Sequence, residues 1–188
     1  MRNLHYILMK TMSGWDVREE YSNGRRDFSN IEVQWADFSG TDLSGINFSD
    51  SKISLVTFFR CNLTDANFNG CDINSTSFHS AILKNAVFDK ATLNWVMFDN
   101  AEFSNTSMKN ATLSHATLIN CLEAELNLSG AALFHVFRNP SEIPDSEVDA
   151  LVAEIGTAIC KVDMDRRLWI KTGLAQYMQD LGKKKFSE

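Results

Sequence analysis

Large apolar residues recur at every fifth position of this chain, from Phe28 to Leu133. Of the 22 positions in this series, 21 carry a large apolar side chain, and the exception is Glu123. An α-helix repeats every 3.6 residues or so and a β-strand every two, so neither produces a strict period of five. The pattern therefore predicts a repeat architecture in which each five-residue unit is one structural step.

Each unit has the same order of residue types. A small residue stands two positions before the large one, polar residues flank the large one, and the last position is typical of a turn. Residues 36–40 (Ala-Asp-Phe-Ser-Gly) and 66–70 (Ala-Asn-Phe-Asn-Gly) show this order. These units resemble the pentapeptide-repeat family, whose motif is A(D/N)Lxx with Leu or Phe at its centre. The resemblance implies an all-β solenoid, a right-handed quadrilateral β-helix with four pentapeptides in each coil of about 20 residues.

The large residues contain a second period. From Phe28 to Phe98 they alternate between Phe and an aliphatic residue without exception. A period of ten within a period of five fits a square coil in which phenylalanines stack on two opposite faces. The two stacks expected are 28, 48, 68, 88 and 38, 58, 78, 98, with Val, Ile and Leu on the other faces.

The N-terminal segment, residues 1–25, has a different pattern. Large apolar residues occur at helical spacing over residues 4–20, which predicts a helix; they are Leu4, Ile7, Leu8, Met12 and Trp15. Many pentapeptide-repeat proteins have a Trp followed three residues later by Arg before the first coil, and Trp15 and Arg18 match that spacing. We expect this segment to plug the start of the β-helix, which we assign to residues 26–135.

The C-terminal segment, residues 136–188, also departs from the repeat. Glu123 in a core position indicates that the coil loosens, and Pro140 and Pro144 indicate a linker. Amphipathic stripes over 146–160 and 163–181 predict two helices. We expect these helices either to cap the last coil or to pair with a second subunit, since gyrase-protecting relatives in this family dimerise through C-terminal elements.

Composition and charge exclude several classes of function. The chain has 188 residues and a net charge of −6, which argues against direct nucleic-acid binding. It has no apolar run long enough for a membrane span and no visible signal peptide, so we expect a cytoplasmic protein without membrane contact. We find no phosphate loop and no catalytic motif, and we predict no enzyme activity, cofactor or metal.

The cysteines and histidines are candidate reactive groups. Cys61, Cys71 and Cys121 fall in the small inward position. Cys61 and Cys71 are expected on opposite faces and Cys121 three coils from Cys61, so we expect no disulfides. We interpret them as buried small residues. His115 and His135 are twenty residues apart and could stack on one outer column. We interpret both as surface histidines, because no third ligand of a metal site is evident.

The outer surface carries the candidate binding residues. Trp35, Leu55 and Trp95 share one outer column of the expected coil, and Phe59 and Met97 lie on the neighbouring face. Exposed aromatic residues of this kind indicate a protein-binding patch. The alternative is that a terminal helix folds back over them. The main hypothesis is therefore a non-enzymatic protein-interaction module with an unidentified protein partner.

A second hypothesis follows from the family resemblance. Some members mimic duplex DNA, bind DNA gyrase or topoisomerase IV, and protect it from quinolones. Residues 27–133 have 12 acidic and 5 basic side chains, a net charge of −7. However, four of the acidic residues form a ring on the first coil rather than an axial stripe of the kind that phosphates form; they are Asp27, Glu32, Asp37 and Asp42.

Overall fold

The structure is a computed structural model that describes residues 9–121 and 126–136. Its main feature is a parallel β-solenoid of about six turns. The elements are β1 (Lys10–Met12), α1 (Gly14–Ser22), β2 (Ile31–Gln34), β3 (Lys52–Ser54), β4 (Asp72–Asn74), β5 (Thr92–Asn94), β6 (Thr106–Ser107), β7 (Thr112–Ser114), β8 (Leu126–Asn127) and β9 (Ala132–Phe134). One face holds a seven-stranded sheet in the order β1-β2-β3-β4-β5-β7-β9, and β6 and β8 form a second, two-stranded sheet.

The strand register shows four five-residue units per turn. Within the coil each residue pairs with the one twenty positions later, as Val33 does with Ile53 and Ile53 with Ile73. The other faces carry parallel bridges with the same offset, such as Asn47 with Asn67. Each turn of the coil therefore supplies one rung to every face, and residues at the same position in successive turns form a column.

The corners of the coil are built by left-handed backbone. The last residue of each unit, which we call the corner position, has a φ between 48° and 71° at all 21 corners described, from Asn30 to His135. On three faces a backbone bond closes the corner, such as the 3.1 Å bond from the Thr41 N–H to the Phe38 carbonyl. Fourteen of the 21 corners are Asn, Gly, Asp or Ser, the residues that tolerate this conformation or favour turns.

The interior is filled by the large residues of the five-residue period. The predicted phenylalanine stacks are confirmed: Phe48 and Phe68 have ring centroids 5.7 Å apart, and Phe58 and Phe78 are 5.0 Å apart. The two stacks also meet edge to face, since Phe68 and Phe78 are 5.5 Å apart at 87°. All eight stacked phenylalanines are fully buried. The core is therefore continuous along the coil and packed with side chains.

The first turn of the coil differs from the sequence prediction. A helix was expected over residues 4–20, but Lys10–Met12 is strand β1, and the helix covers Gly14–Ser22. Met12 is buried and pairs with Val33, so it adds one more rung to the seven-stranded sheet. Strand pairing with β2 supplies inter-strand hydrogen bonds to this segment, which explains why its helical spacing of apolar residues was misleading. The part of the predicted helix before residue 9 lies outside the described residues.

Helix α1 lies against the first coil. Ser13 caps it, accepting from the Asp16 N–H at 3.1 Å, and Asp16 in turn accepts from the Ser13 N–H at 3.0 Å. Hydrogen bonds from Ser13 lower the pKa of Asp16. Val17 is fully buried in the core cluster, and the Tyr21 hydroxyl donates to the Ser44 carbonyl at 2.8 Å.

Of the expected Trp and Arg pair, only Arg18 contacts the coil. Its guanidinium donates to the Asp37 carbonyl and lies 5.7 Å from the centre of the Phe38 ring. Trp15 is 67% exposed. Val17, Arg18 and Tyr21 therefore contact the first coil, and the plug role of this segment stays a prediction.

Several predictions fall outside the described residues. They are the coil loosening at Glu123, the linker at Pro140 and Pro144, and the two C-terminal helices over 146–160 and 163–181. In the part of the chain that the structure describes, no helix has the length and apolar character needed to cross a bilayer.

Candidate interaction surface

One column of corner positions carries large side chains, and we call it the corner column. It consists of Trp35, Leu55, Ser75, Trp95, His115 and His135, which follow strands β2, β3, β4, β5, β7 and β9. Every member has a left-handed backbone, with φ from 48° to 57°. The column thus runs along the C-terminal ends of the strands, with one residue on each rung from β2 to β9.

The three apolar members do not form one continuous patch. Trp35 and Leu55 are on adjacent rungs and are half-buried. Ser75 occupies the next rung and separates Leu55 from Trp95, which is also half-buried. Rungs are spaced by about 4.8 Å, so Leu55 and Trp95 stand roughly 10 Å apart across the serine. The structure therefore places Trp35 and Leu55 on adjacent rungs and separates both from Trp95 by the smaller Ser75.

The neighbouring face carries the other two predicted residues. Phe59 and Met97 are half-buried on that face and lie two rungs apart along the coil. Phe59 stacks on His79 with ring centroids 5.5 Å apart, and the Arg60 guanidinium lies 4.9 Å from its ring centre. Sequence reasoning missed His79, although its offset of twenty residues from Phe59 was the available signal.

Histidines extend the corner column beyond Trp95. The rings of Trp95 and His115 are stacked, with centroids 4.1 Å apart and planes 15° apart. His115 then meets His135 edge to face at 4.8 Å, and the distance between Nε2 of His115 and Nδ1 of His135 is 3.0 Å. The stacking of these histidines on one column is confirmed. Their contact with Trp95 was not predicted, although the same offset of twenty residues indicates it.

The acidic residues of the first coil are bonded to the coil itself. Asp37 accepts from the Ser39 N–H at 2.7 Å, and Asp42 accepts from the Ser44 N–H at 3.0 Å. Glu32 forms a 3.6 Å ion pair with Lys52. These groups stabilise turns and adjacent rungs, so the ring is part of the coil's own hydrogen bonding.

Asp27 is the fourth acidic residue of that ring, and its hydrogen bonds change the pKa of its carboxyl group. Its carboxylate accepts from the Ser29 N–H and from the Asn47 side-chain amide, both at 3.0 Å. The bonds from Ser29, and to a lesser degree the one from Asn47, lower the pKa of Asp27. The carboxylate is thereby held ionised by its neighbours in the coil.

The cysteines are placed as predicted, in the small inward positions. Cys61 and Cys71 are buried, Cys121 is half-buried, and all three are free thiols. The Cys71 Sγ lies 2.9 Å from the Phe48 carbonyl. Burial raises the pKa of Cys61 to about 11 and that of Cys71 to about 12, so both stay protonated at neutral pH. Neither thiol is suited to nucleophilic catalysis.

Two family models match the coil. The model described as a pentapeptide repeat region matches residues 51–128, and the model described as pentapeptide repeats (8 copies) matches residues 34–58. The chain belongs to the pentapeptide-repeat family. A search of curated proteins gave no match.

Solved pentapeptide-repeat structures are similar to this one. A protein from the thylakoid lumen of Arabidopsis thaliana is 30% identical over 50% of this chain, with a TM-score of 0.42; the match covers 61% of that protein's length. HetL, described as involved in heterocyst differentiation regulation in the cyanobacterium Nostoc, is 15% identical over 67% of this chain and 94% of its own, with a TM-score of 0.24. A trypsin-treated form of QnrB1, a plasmid-mediated fluoroquinolone resistance protein, is 16% identical over 79% of this chain and 98% of its own, with a TM-score of 0.30.

Proposed function

We propose that this pentapeptide-repeat protein is a non-enzymatic interaction module that binds a protein partner through the corner column. The observation that carries the proposal is the presence of Trp35, Leu55 and Trp95 at left-handed corners, with φ of 55° to 57°. Phe59 and Met97 on the adjacent face are proposed to extend the surface. Buried free thiols, which stay reduced, fit the cytoplasm as its compartment.

The backbone conformation makes these residues costly for folding. A residue with a Cβ in the left-handed region costs roughly 1–2 kcal/mol relative to the right-handed region, and bulky residues are rare there. Most other corners use Asn, Gly, Asp or Ser. Because Trp35, Leu55 and Trp95 are only half-buried, core packing does not require their size. We infer that these three side chains are retained, despite their cost to folding, because they bind a partner.

The shape of the column suggests how a partner docks. Ser75 is a small residue between two larger apolar ones, Leu55 and Trp95, and we propose that one apolar side chain of the partner docks there. The sheet residues beside it are polar: Asn74 is exposed and Asn94 is half-buried. A small apolar centre with a polar rim is typical of hot spots in protein interfaces. We therefore propose a protein partner that inserts one apolar side chain flanked by hydrogen-bonding backbone.

The test replaces the bulky corners by the residue most common at corners. The triple variant Trp35→Asn/Leu55→Asn/Trp95→Asn of the full chain should lose the partners that the wild type retains in a quantitative pull-down. A matched control, Asp50→Asn/Asp65→Asn/Lys90→Asn, changes three corners in the two columns that do not adjoin Phe59 or Met97 and should retain them. Circular dichroism checks that both variants are folded. Equal retention by the column variant and the wild type would remove the corner column as the binding surface.

A second candidate is a DNA-mimicking regulator of DNA gyrase or topoisomerase IV. The net charge of −7 over residues 27–133 favours it. The hydrogen bonds of Asp27, Asp37 and Asp42 to nearby backbone N–H groups weaken it, because those carboxylates are already engaged with the coil. A supercoiling assay with gyrase, with and without quinolone, decides the matter: a DNA mimic changes the extent of supercoiling, and an interaction module of another kind leaves it unchanged.

Self-association is a separate proposal. The two predicted C-terminal helices would form a homodimer if they pair with those of a second copy. Light scattering of the full chain should then give twice the mass of one chain, 42 kDa or so against the 21.2 kDa of a monomer. A monomeric mass would favour the role of these helices as a cap.

A further inference from the structure

The ring pair at the end of the corner column has the geometry of a two-ligand metal site. The Nε2 atom of His115 and the Nδ1 atom of His135 face one another at 3.0 Å. We propose that His115 and His135 together bind one divalent transition-metal ion that favours imidazole, with Cu²⁺ bound most strongly.

The separation of the two nitrogens suits neighbouring positions around one ion. Imidazole nitrogens lie about 2.0–2.1 Å from a bound first-row ion, so two of them at a right angle are roughly 2.9 Å apart. Tetragonal coordination, which Cu²⁺ and Ni²⁺ adopt, uses right angles. The observed 3.0 Å therefore matches this spacing, and a rotation of the exposed His135 ring is needed to direct its lone pair at the same centre as that of His115.

The Ser114 hydroxyl can accept a hydrogen bond from the required tautomer of His115. The Ser114 Oγ lies 3.0 Å from the Nδ1 of His115. When Nδ1 carries the proton and donates to this hydroxyl, the lone pair of Nε2 faces His135. Metal binding then displaces the hydrogen bond between the rings. The proton on Nδ1 of His135 moves to its Nε2, so both ligands are neutral imidazoles and no net proton is released.

The stacked rings restrict the motion of His115. Its ring lies between the Trp95 ring, whose centroid is 4.1 Å away, and the His135 ring, whose centroid is 4.8 Å away. A ligand that is held in place loses less conformational entropy on binding than a mobile side chain. The strands β7 and β9 hold the two rungs at fixed spacing through parallel pairing.

We propose that water completes the coordination shell. Among the described residues there is no group of three or more metal-ligating side chains. The proposed site is therefore open and exchangeable, unlike a closed structural zinc site with four protein ligands. With two imidazoles as the protein ligands, affinity should follow the general order in which Cu²⁺ exceeds Ni²⁺ and Zn²⁺.

The experiment is a titration of the metal-free full chain with CuSO₄, followed by calorimetry and by tryptophan fluorescence. One Cu²⁺ should bind per chain, and fluorescence should fall because Trp95 stacks on a ligand ring. His115→Asn and His135→Asn should each weaken binding about tenfold or more. Asn is native at six other corners, from Asn30 to Asn120, so both variants keep a compatible backbone.

Two controls separate this site from other copper ligands. His79→Asn removes a histidine elsewhere on the coil and should bind Cu²⁺ like the wild type. Trp95→Phe keeps an aromatic ring over His115, so calorimetric binding should persist while much of the fluorescence change is lost. Wild-type protein without saturable binding, or unchanged affinity in both corner variants, would overturn the proposal.

Discussion

Ile53 and Leu55 are two residues apart on the same rung, yet different physical demands apply to them. Ile53 is in strand β3, fully buried, and paired with Val33 and Ile73 on the adjacent rungs. Leu55 is half-buried at a corner with a φ of 57°. Size is required at the first position, because the interior must be filled. At Leu55 the left-handed backbone favours Gly or Asn, and a large side chain there raises the conformational free energy of the folded chain.

The same contrast separates all the interior columns from the corner column. Interior columns are selected for volume and apolar character, as the stacked phenylalanines show. Corner columns are selected for backbone conformation, and some of their side chains also bond along the column, as Asn85 does to Asp65. A bulky corner residue is therefore more informative about function than a bulky interior residue.

The largest expected effect tests the interior side of this comparison. Phe68→Ala removes a ring that contacts Phe48, Phe58, Phe78 and Phe88. Because Ala leaves a cavity between stacked rungs, we expect a loss of about 3–5 kcal/mol in the free energy of unfolding. Urea denaturation followed by circular dichroism measures it. A loss below about 1 kcal/mol would show that the ring stacks are not the main source of stability.

The second prediction, of intermediate size, concerns how the thiols at the small inward positions make the free energy of unfolding depend on pH. The pKa values of Cys61 and Cys71 are raised by burial, so the unfolded chain loses these thiol protons at lower pH than the folded chain does. Their stabilising contribution is present below about pH 9 and is lost as pH rises towards 11 and 12. We expect about 2–3 kcal/mol of destabilisation per thiol between pH 8 and pH 11.

The matched control for that effect is Cys61→Ala/Cys71→Ala. Ala is common at this inward position, as at the buried Ala66 and Ala86, so the variant should fold. Its unfolding free energy should fall less between pH 8 and pH 11 than that of the wild type, in parallel denaturation series. If both proteins lose the same amount, the thiols do not contribute to the alkaline loss.

The smallest effect tests the corner side of the comparison. Leu55→Asn relieves left-handed strain and gives up part of a half-buried side chain, so the unfolding free energy should stay within about 1 kcal/mol of the wild type. Ile53→Ala on the same rung should cost about 2–5 kcal/mol. Denaturation of the two variants side by side measures the difference. A loss above about 2 kcal/mol for Leu55→Asn would make Leu55 a folding residue rather than a candidate binding residue.

Much of the coil could be predicted from the sequence because its signal is strictly periodic. The alternation from Phe28 to Phe98 correctly predicted two phenylalanine stacks, and the inward positions of Cys61 and Cys71 followed from the same numbering. The N-terminal segment was harder. Met12 fits a helical pattern, but backbone pairing with β2 makes it part of a strand. A single short segment has no repeat to average over, so tertiary pairing can override its local pattern.

The candidate surface was predictable in part. The offset of twenty residues correctly placed Trp35, Leu55 and Trp95 in one column, but it did not indicate that every corner has a left-handed backbone. It also did not predict that Arg60 lies over Phe59 or that His115 lies between Trp95 and His135. Those contacts depend on side-chain rotamers, which the spacing of residues does not specify.

The sequence by itself determined the repeat, the composition of the interior and the columns in which outer residues lie. Apolar periodicity determines these features, because each rung must bury the same position of each unit. Only the tertiary structure decided that strand β1 joins the sheet, that the acidic side chains bond back to the coil, and that His115 and His135 meet at 3.0 Å. Each of these depends on the distance between atoms remote in the chain, which is set by the packing of one turn on the next.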